Sequence, residues 1–127
     1  MIDGLFNQSG YVAAKKMMDL TALRHEAIAS NLAHVETPHY KRLDVAPSFM
    51  TELQQAVASR DPARIAAAQP SLSTDATAPA GRKDGNTVQV ESELLKLNRN
   101  ALDHQLETQL VTGNLLKLRL AITGRAQ

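Results

Sequence analysis

Proline is confined to the middle of this chain, and that placement limits what the two ends can form. All prolines lie between positions 38 and 79, at Pro38, Pro47, Pro62, Pro70 and Pro79. Because proline removes a backbone donor and its ring clashes with the preceding helical turn, it excludes a long helix from the segment that contains it. The two proline-free flanks can each form a long helix, whereas the middle cannot.

The N-terminal flank predicts a helix of about seven turns from about Ser9 to His34, with Ser9 as a plausible N-cap. Its residues follow helical spacing on two faces. Lys16 falls on the first of these faces, so its amino group has to extend from that face to solvent. The first face contains Val12, Leu20, Leu23 and Ala27, and the second Tyr11, Met18, Ala22, His25, Ala29 and Leu32.

The C-terminal flank, from about Val90 to Ile122, predicts a longer helix that ends at Gly124 and Arg125. Its main stripe has the spacing of three and four residues that is typical of a coiled-coil seam. This stripe is Leu95, Leu102, Leu106, Gln109, Gly113, Leu116 and Leu120. A second stripe is Leu94, Leu97, Ala101, Val111, Leu115, Leu118 and Ile122, and the polar strip between them is Lys96, Asn100, Asp103, Glu107 and Asn114.

Two apolar stripes on each helix are more than a monomer needs. One helix can cover one stripe of the other, and the second stripes then stay exposed unless other subunits cover them. We therefore expect a mainly α fold, in which the terminal helices pair as an antiparallel coiled-coil-like hairpin, and we expect assembly through the remaining faces. Residues 1–41 would hold the first helix and its terminal turn, residues 42–88 a variable middle, and residues 89–127 the last helix, with the two ends forming one helical domain.

The middle region predicts a short helix and a loop. Phe49, Leu53, Ala56 and Val57 have helical spacing after Pro47. Further along, Asp61 is a candidate N-cap with proline at the first helical position. Residues 70–86 are rich in Pro, Ser, Thr, Ala and Gly and predict a mobile loop. Residues 87–90 alternate and predict an extended segment before the last helix.

Composition and motifs give little support for enzyme chemistry. The chain has no cysteine, four aromatic residues and a net charge of +1, so thiolate chemistry and a strongly charged nucleic-acid or lipid surface are not expected. No phosphate-binding loop, HExxH or GxSxG motif is present. The only close set of potential metal ligands is His34, Glu36 and His39, which is better explained as packed or solvated side chains. We expect no cofactor.

The start of the sequence and its hydropathy bear on location. The first ten residues have an early acidic residue and no basic segment followed by an apolar one, so they do not predict a cleaved signal peptide. No stretch approaches the roughly 18 apolar residues that a membrane-spanning helix needs. Export would therefore use a route that does not depend on a cleaved signal.

The segment ASNLAHVETPHYK at residues 29–41 ends the first predicted helix, because a residue before proline is pushed out of the helical region. This segment resembles the N-terminal signature of the flagellar axial proteins, which are rod, hook and hook-associated subunits, commonly S-N-I-A-N-x-x-T-P-G-Y-K. His34 replaces the usual Asn, and His39 replaces a Gly that would permit a positive φ. If His39 occupies such a backbone we expect it to be strained, and otherwise we expect the turn to differ from that of the family. The matching residues are Ser30, Asn31, Ala33, Thr37, Pro38, Tyr40 and Lys41.

Residues 84–122 are similar to the C-terminal region of the B-type flagellar basal-body rod family, in which an Asp-Gly-Asn turn leads into a long helix. The resemblance implies a structural subunit of the proximal rod, whose terminal helices stack into the wall of a tube that is both drive shaft and export channel. It implies an open helical array. The implied partners are other rod subunits, adaptor proteins at the inner-membrane ring and the flagellar type III export apparatus, with the subunit in the periplasmic rod.

From the resemblance and the stripes together we expect two sets of subunit-interface residues. The signature turn contributes Ser30, Asn31, Ala33, Thr37, Pro38, Tyr40 and Lys41. The helices contribute Leu20, Leu23, Leu95, Leu102, Leu106, Gln109, Gly113, Leu116 and Leu120. The main alternative is a helical secreted or adaptor protein that binds a single partner through an exposed coiled-coil face, and a small metal-dependent enzyme is a distant third.

Overall fold

The computed structural model describes residues 9–124 and is mainly helical. The prediction of a long helix at each end is confirmed. In chain order the elements are α1 (Ser9–Ala33), β1 (Leu43–Val45), α2 (Ser48–Ala58), α3 (Pro62–Ala67), β2 (Leu72–Thr74) and α4 (Val90–Thr123). The side chains of Ser9 and Leu118, and Arg125 in the expected helix stop, lie outside what is described. Gly124 ends α4 in the left-handed conformation, as the sequence predicts.

The first apolar face of α1 packs against the middle of the chain. Phe49, Leu53 and Ala56 follow one face of α2 and are buried, as their spacing predicts. Asp61 accepts a hydrogen bond from the amide of Ala63 (3.0 Å) and caps α3 in the expected way. The core cluster is Leu20, Val45, Phe49, Leu53, Ala56, Ile65 and Ala68. The middle region is therefore a cover for one side of α1.

Two short strands within the middle region were not predicted. β1 and β2 pair antiparallel, with Leu43 opposite Thr74 and Val45 opposite Leu72. The prediction of a mobile loop is therefore wrong for residues 72–74. The pairing joins segments about thirty residues apart, and Leu72 packs on the core cluster. A strand stabilised by such a distant partner leaves little local signal in the sequence.

α4 contacts the other side of α1 through its polar strip, which corrects the expectation that an apolar stripe would face α1. Glu93, Asn100 and Glu107 are 0%, 3% and 7% exposed, whereas Leu95 and Leu102 are 71% and 67% exposed. The polar side chains form hydrogen bonds with groups of α1, which leucine side chains cannot do. None of the described helices is long and apolar enough to cross a membrane.

Candidate functional site

Asn31 of the signature turn is buried at the junction of α1, β1 and α4. Its Oδ1 accepts a hydrogen bond from the amide of Leu43 (2.9 Å), and its Nδ2 donates to the carbonyl of the same residue (2.9 Å). Nδ2 also lies 3.2 Å from Oε2 of Glu93. The side chain thus pairs with the backbone of Leu43 as a neighbouring strand would, and it links the end of α1 to the start of α4.

Tyr40 folds back over the last turn of α1. Its ring stacks on His34, with centroids 4.7 Å apart and planes 4° from parallel. Its hydroxyl lies 3.0 Å from Oγ of Ser30 and donates to Oδ1 of Asn31 (3.3 Å). The structure therefore brings together Ser30, Asn31 and Tyr40, and Tyr40 anchors the departing chain against the helix.

His39 adopts a left-handed backbone conformation with φ of 63°. The sequence predicted strain at this position, and the positive φ supports it, because a side chain is disfavoured there. The amide of His39 donates to the carbonyl of Asp84 (2.8 Å). A Cβ on Gly85 would lie 2.8 Å from Nδ1 of His39, so the Asp-Gly-Asn turn needs its glycine to accommodate this histidine.

Asn86, at the end of the middle region, binds the carbonyls of the turn that follows α1. Its Nδ2 donates to the carbonyls of His34 (2.9 Å), Val35 (3.1 Å) and Thr37 (2.9 Å). These carbonyls have no helical partner after the helix ends. The signature turn and the Asp-Gly-Asn turn are therefore one structural unit, which the sequence analysis missed because it treated them as separate signatures.

The rest of the signature lies at the surface. Ala33, Thr37, Pro38 and Lys41 are exposed, and Nζ of Lys41 donates to the carbonyl of Gly85 (2.9 Å). We call these exposed residues at the end of α1 the ridge. The buried side chains of Asn31 and Asn86 stabilise the turn that carries it.

A charged hub, made of Arg42, Asp44, Asp75 and Glu93, lies beside the signature turn. Buried Arg42 pairs through Nε with Glu93, and its Nη1 lies 3.1 Å from Asp44 and 2.8 Å from Asp75. Burial opposes the charged guanidinium, but the carboxylates of Glu93 and Asp44 outweigh it and raise the pKa of Arg42. Sequence reasoning missed this hub. The available signal was an arginine directly after the signature and an acidic residue in the first turn of α4.

Asp75 is held in its charged form. Its Oδ1 accepts hydrogen bonds from the hydroxyl (2.6 Å) and amide (2.9 Å) of Thr77. These bonds, together with Arg42, lower the pKa of the Asp75 carboxyl against the opposing effect of burial. The ion pairs of the hub therefore link the middle region, the end of the signature turn and α4.

Further along α4, polar contacts to α1 are less well compensated. Nδ2 of Asn100 donates to the carbonyl of Thr21 (2.8 Å), and the Thr21 hydroxyl lies 3.0 Å from Oε2 of Glu107 and 2.9 Å from Nδ1 of His104. Burial raises the pKa of the Glu107 carboxyl and nearby Asp103 adds to this, while the Thr21 hydrogen bond, His104 and Arg24 oppose it.

The predicted helix interface is mostly open to solvent on α4. We use the name outer stripe for its exposed leucines, which are Leu95, Leu102, Leu106, Leu116 and Leu120. Gln109 is also exposed, and a Cβ added at Gly113 would meet nothing within 4 Å. On α1, Leu23 is half-buried against the core cluster.

Two residues of the predicted interface, Leu20 and Asn31, are buried within the chain. Leu20 is 2% exposed and belongs to the core cluster, and Asn31 is fully buried by β1 and α4. Both have their contacts within the chain, because the middle region and the start of α4 cover the side of α1 on which they lie. In this conformation they offer no surface to another subunit.

His34 and His39, the pair of histidines that lie close together in the sequence, contact different groups. His34 stacks on Tyr40 and its Nδ1 lies 2.8 Å from the carbonyl of Ser30, whereas His39 packs on the Asp-Gly-Asn turn. Among residues 9–124 no group of three or more potential ligands is arranged to hold a metal ion.

Comparison with known proteins gives consistent relatives, although no family model matches the chain. It is 31% identical over 115 residues to the flagellar basal body rod protein FlgB of Cereibacter sphaeroides, which covers 83% of this chain and 87% of the relative. It is 28% identical to FlgB of Aquifex aeolicus, covering 89% and 92%. It is 25% identical to FlgB of Borrelia hermsii, covering 86% and 92%.

Proposed function

Because this chain belongs to the family of the flagellar basal body rod protein FlgB, we propose that it polymerises through its terminal helices into the proximal rod. The rod is then a tubular drive shaft whose inner wall lines the export channel. The family membership makes the chain a rod subunit of the flagellar basal body. Polymerisation, the tube and the channel are our proposal.

The observation that carries the proposal is the outer stripe. Its leucines are between 45% and 71% exposed along one long helix. An exposed apolar stripe of this kind is unfavourable in water and marks a contact with another protein. Subunits that meet head-to-tail through unlike surfaces generate an open helical array where the rotation between them does not close, and this is the symmetry that a rod requires.

We further propose that α1 and α4 form an antiparallel hairpin that is the building block of the wall. Its support is the order of their contacts. Asn31, near the end of α1, bonds to Glu93 at the start of α4, whereas Thr21 bonds to Asn100 and Glu107 further along. Contacts thus move toward the start of α1 as they move along α4.

The signature turn would contribute a second contact surface through its exposed ridge. Ala33, Thr37, Pro38 and Lys41 face solvent there. Ser30, Asn31 and Tyr40 would act by holding the shape of this ridge, since their polar groups bond within the turn. This assignment keeps the predicted turn residues but divides them into contact and supporting roles.

The proposed partners follow from the place of a rod subunit. They are other rod subunits, adaptor proteins at the inner-membrane ring and the type III export apparatus, through which the chain would pass unfolded without a cleaved signal peptide. The role is structural, with no enzymatic activity, cofactor, nucleic acid or direct lipid contact. The subunit would be located in the periplasmic part of the basal body.

The proposal is tested by placing charges on the outer stripe. Leu102→Asp combined with Leu116→Asp should leave the circular dichroism of the isolated chain and its export unchanged, because both side chains are exposed. The yield of the subunit in purified basal bodies should fall to background. The matched control is Gln105→Asp with Thr112→Asp, at exposed positions of the same helix outside the predicted stripe.

Normal incorporation of the doubly charged stripe variant would refute the role of the stripe. Electron microscopy of the assembled protein separates the two function classes. A tube of repeating subunits supports the rod, whereas a discrete complex of fixed size with one partner supports the adaptor alternative.

A further inference from the structure

The residues of α4 that are most deeply buried against α1 form a polar repeat with a spacing of seven. We call Glu93, Asn100 and Glu107 the polar heptad. Glu93 bonds to Asn31 and pairs with Arg42, Asn100 donates to the carbonyl of Thr21, and Glu107 accepts from the hydroxyl of the same threonine. A seven-residue repeat keeps one face of a helix toward its partner, but such repeats are ordinarily apolar.

Stability alone does not explain these polar residues. Oδ1 of Asn100 is buried and has no hydrogen-bond partner among the described residues. The carboxyl of Glu107 is also buried, in surroundings that disfavour its charge. Both features oppose folding, since a buried polar group without full compensation is unfavourable relative to an apolar side chain of similar size.

A competing arrangement of the same two helices would bury more apolar surface. Adjacent residues are about 100° apart around a helix. A turn of α4 by one residue step in one direction replaces the polar heptad with Leu94, Ala101 and Thr108, which are all exposed in the structure. A turn in the other direction brings Ser92, Arg99 and Leu106 toward α1. The hydrophobic effect therefore favours the first turn, which would bury Leu94 and Ala101.

Glu93 opposes this rotation. It is fully buried in the first turn of α4, where Asn31 and Arg42 hold it from two directions. Turning the helix would withdraw the carboxylate from buried Arg42 and leave that positive charge less well paired. Separating a buried charge from its partner is strongly unfavourable.

We propose that the polar heptad sets the rotational orientation of α4, so that its apolar stripes face outward where neighbouring subunits can reach them. Glu93 anchors the orientation at the charged hub, and Asn100 and Glu107 extend it along α1. These are positioning residues: they act through the helix orientation and make no subunit contact themselves. The contact made by the stripes rests on the proposed function, whereas the orientation is a property of the isolated chain.

The test uses a single introduced thiol, because the chain contains no cysteine. Ala101→Cys places it beside the polar heptad at an exposed position. In the parent it should react rapidly with an alkylating reagent. Adding Glu93→Ala, Asn100→Ala and Glu107→Ala removes every polar contact of the heptad without placing a large apolar side chain on its face. α4 should then turn toward Leu94, and alkylation should slow by about tenfold through protection of the thiol. Asn100→Ala with Glu107→Ala, which keeps the anchor Glu93, should slow alkylation by less.

The matched control makes alanine substitutions at exposed positions of α4 away from the face of the thiol. Arg99→Ala with Lys117→Ala should leave alkylation at the parent rate. All variants are measured as dilute monomers, as verified by light scattering, with circular dichroism to show that they stay helical. Unchanged alkylation in the Glu93→Ala, Asn100→Ala, Glu107→Ala variant would overturn the proposal, because α4 would then keep its orientation without the polar heptad.

Incorporation into basal bodies is measured separately on the same variants without the reporter thiol. We expect the Glu93→Ala, Asn100→Ala, Glu107→Ala variant to lose incorporation and the control to keep it. Incorporation retained despite slowed alkylation would overturn the link between orientation and assembly. Failure of the unsubstituted chain to enter basal bodies would refute the rod function instead, and the alkylation result would be unaffected.

Discussion

The two sides of α1 are built on different physical principles. One side packs apolar residues of the middle region around Leu20, Phe49 and Ile65, all nearly inaccessible to solvent. The other side contacts α4 through Thr21, Asn31 and the polar heptad. Apolar burial stabilises without demanding one orientation, whereas hydrogen bonds and ion pairs require specific partners. The first side therefore supplies stability, and the second supplies geometry.

The largest effect is expected on the apolar side. Phe49→Ala removes a ring that is 1% exposed within the core cluster and should lower the free energy of unfolding by about 3–5 kcal/mol. Chemical denaturation followed by circular dichroism measures it. Met50→Ala, at a half-buried neighbouring position, serves as the control and should have a smaller effect. Equal losses at the two positions would contradict this placement of the core.

Glu93→Gln should have the next largest effect, on the polar side. The substitution keeps the shape of the side chain but removes the charge that pairs with Arg42. Since Asp44 and Asp75 still contact the guanidinium, we expect a loss of about 1.5–3 kcal/mol, which is typical of a hydrogen bond to a charged group. Denaturant titration measures it, with Glu91→Gln at an exposed position of the same helical turn as the control. A variant as stable as the parent would mean that the hub contributes nothing to folding.

Gly113 belongs to neither of the two contacts of α1, so substitutions there test the exposed surface of α4 by itself. A Cβ there would meet nothing in the chain, so Gly113→Ala should stabilise the isolated chain by about 1 kcal/mol through helix propensity. Gly113→Leu should likewise leave the isolated fold intact. If a neighbouring subunit approaches this position, the leucine variant is exported but fails to enter basal bodies. Full motility with Gly113→Leu would show that no close contact exists there.

The smallest effect is a pH dependence that arises at Glu107. Burial raises the pKa of this carboxyl above its ordinary value. At pH values between the ordinary pKa and the raised pKa, the folded chain therefore binds more protons than the unfolded chain. Stability should therefore fall as the pH rises through this window. Glu107→Gln should remove that fall, while Asp103, His104 and Arg24, which also act on this carboxyl, stay in place.

Thermal unfolding across the pH range, compared between parent and variant, measures the contribution of Glu107. Asp75 acts in the opposite direction, because its lowered pKa gives stability that is lost as the pH falls. Its contribution is common to both proteins and cancels in the difference. Identical pH profiles for parent and Glu107→Gln would mean that the carboxyl titrates as it does in the unfolded chain.

The sequence by itself determined the elements that depend on local rules. Proline placement and apolar spacing predicted both long helices, the buried face of α2 and the cap at Asp61. The match to a glycine-containing signature marked position 39 as one where the family's glycine would permit a positive φ, and the structure shows that His39 adopts it. These features follow from steric and hydrogen-bonding preferences within a few residues, which the sequence states directly.

Only the tertiary structure decided which face of α4 meets α1. Periodicity groups residues by face but assigns no partner to each group, and the apolar stripes were the natural choice for the pairing. The structure places Asn100 and Glu107 there instead. The reason lies in residues distant in sequence: Arg42, Asn31 and Thr21 offer buried polar groups, and the residues of the polar heptad pair with them.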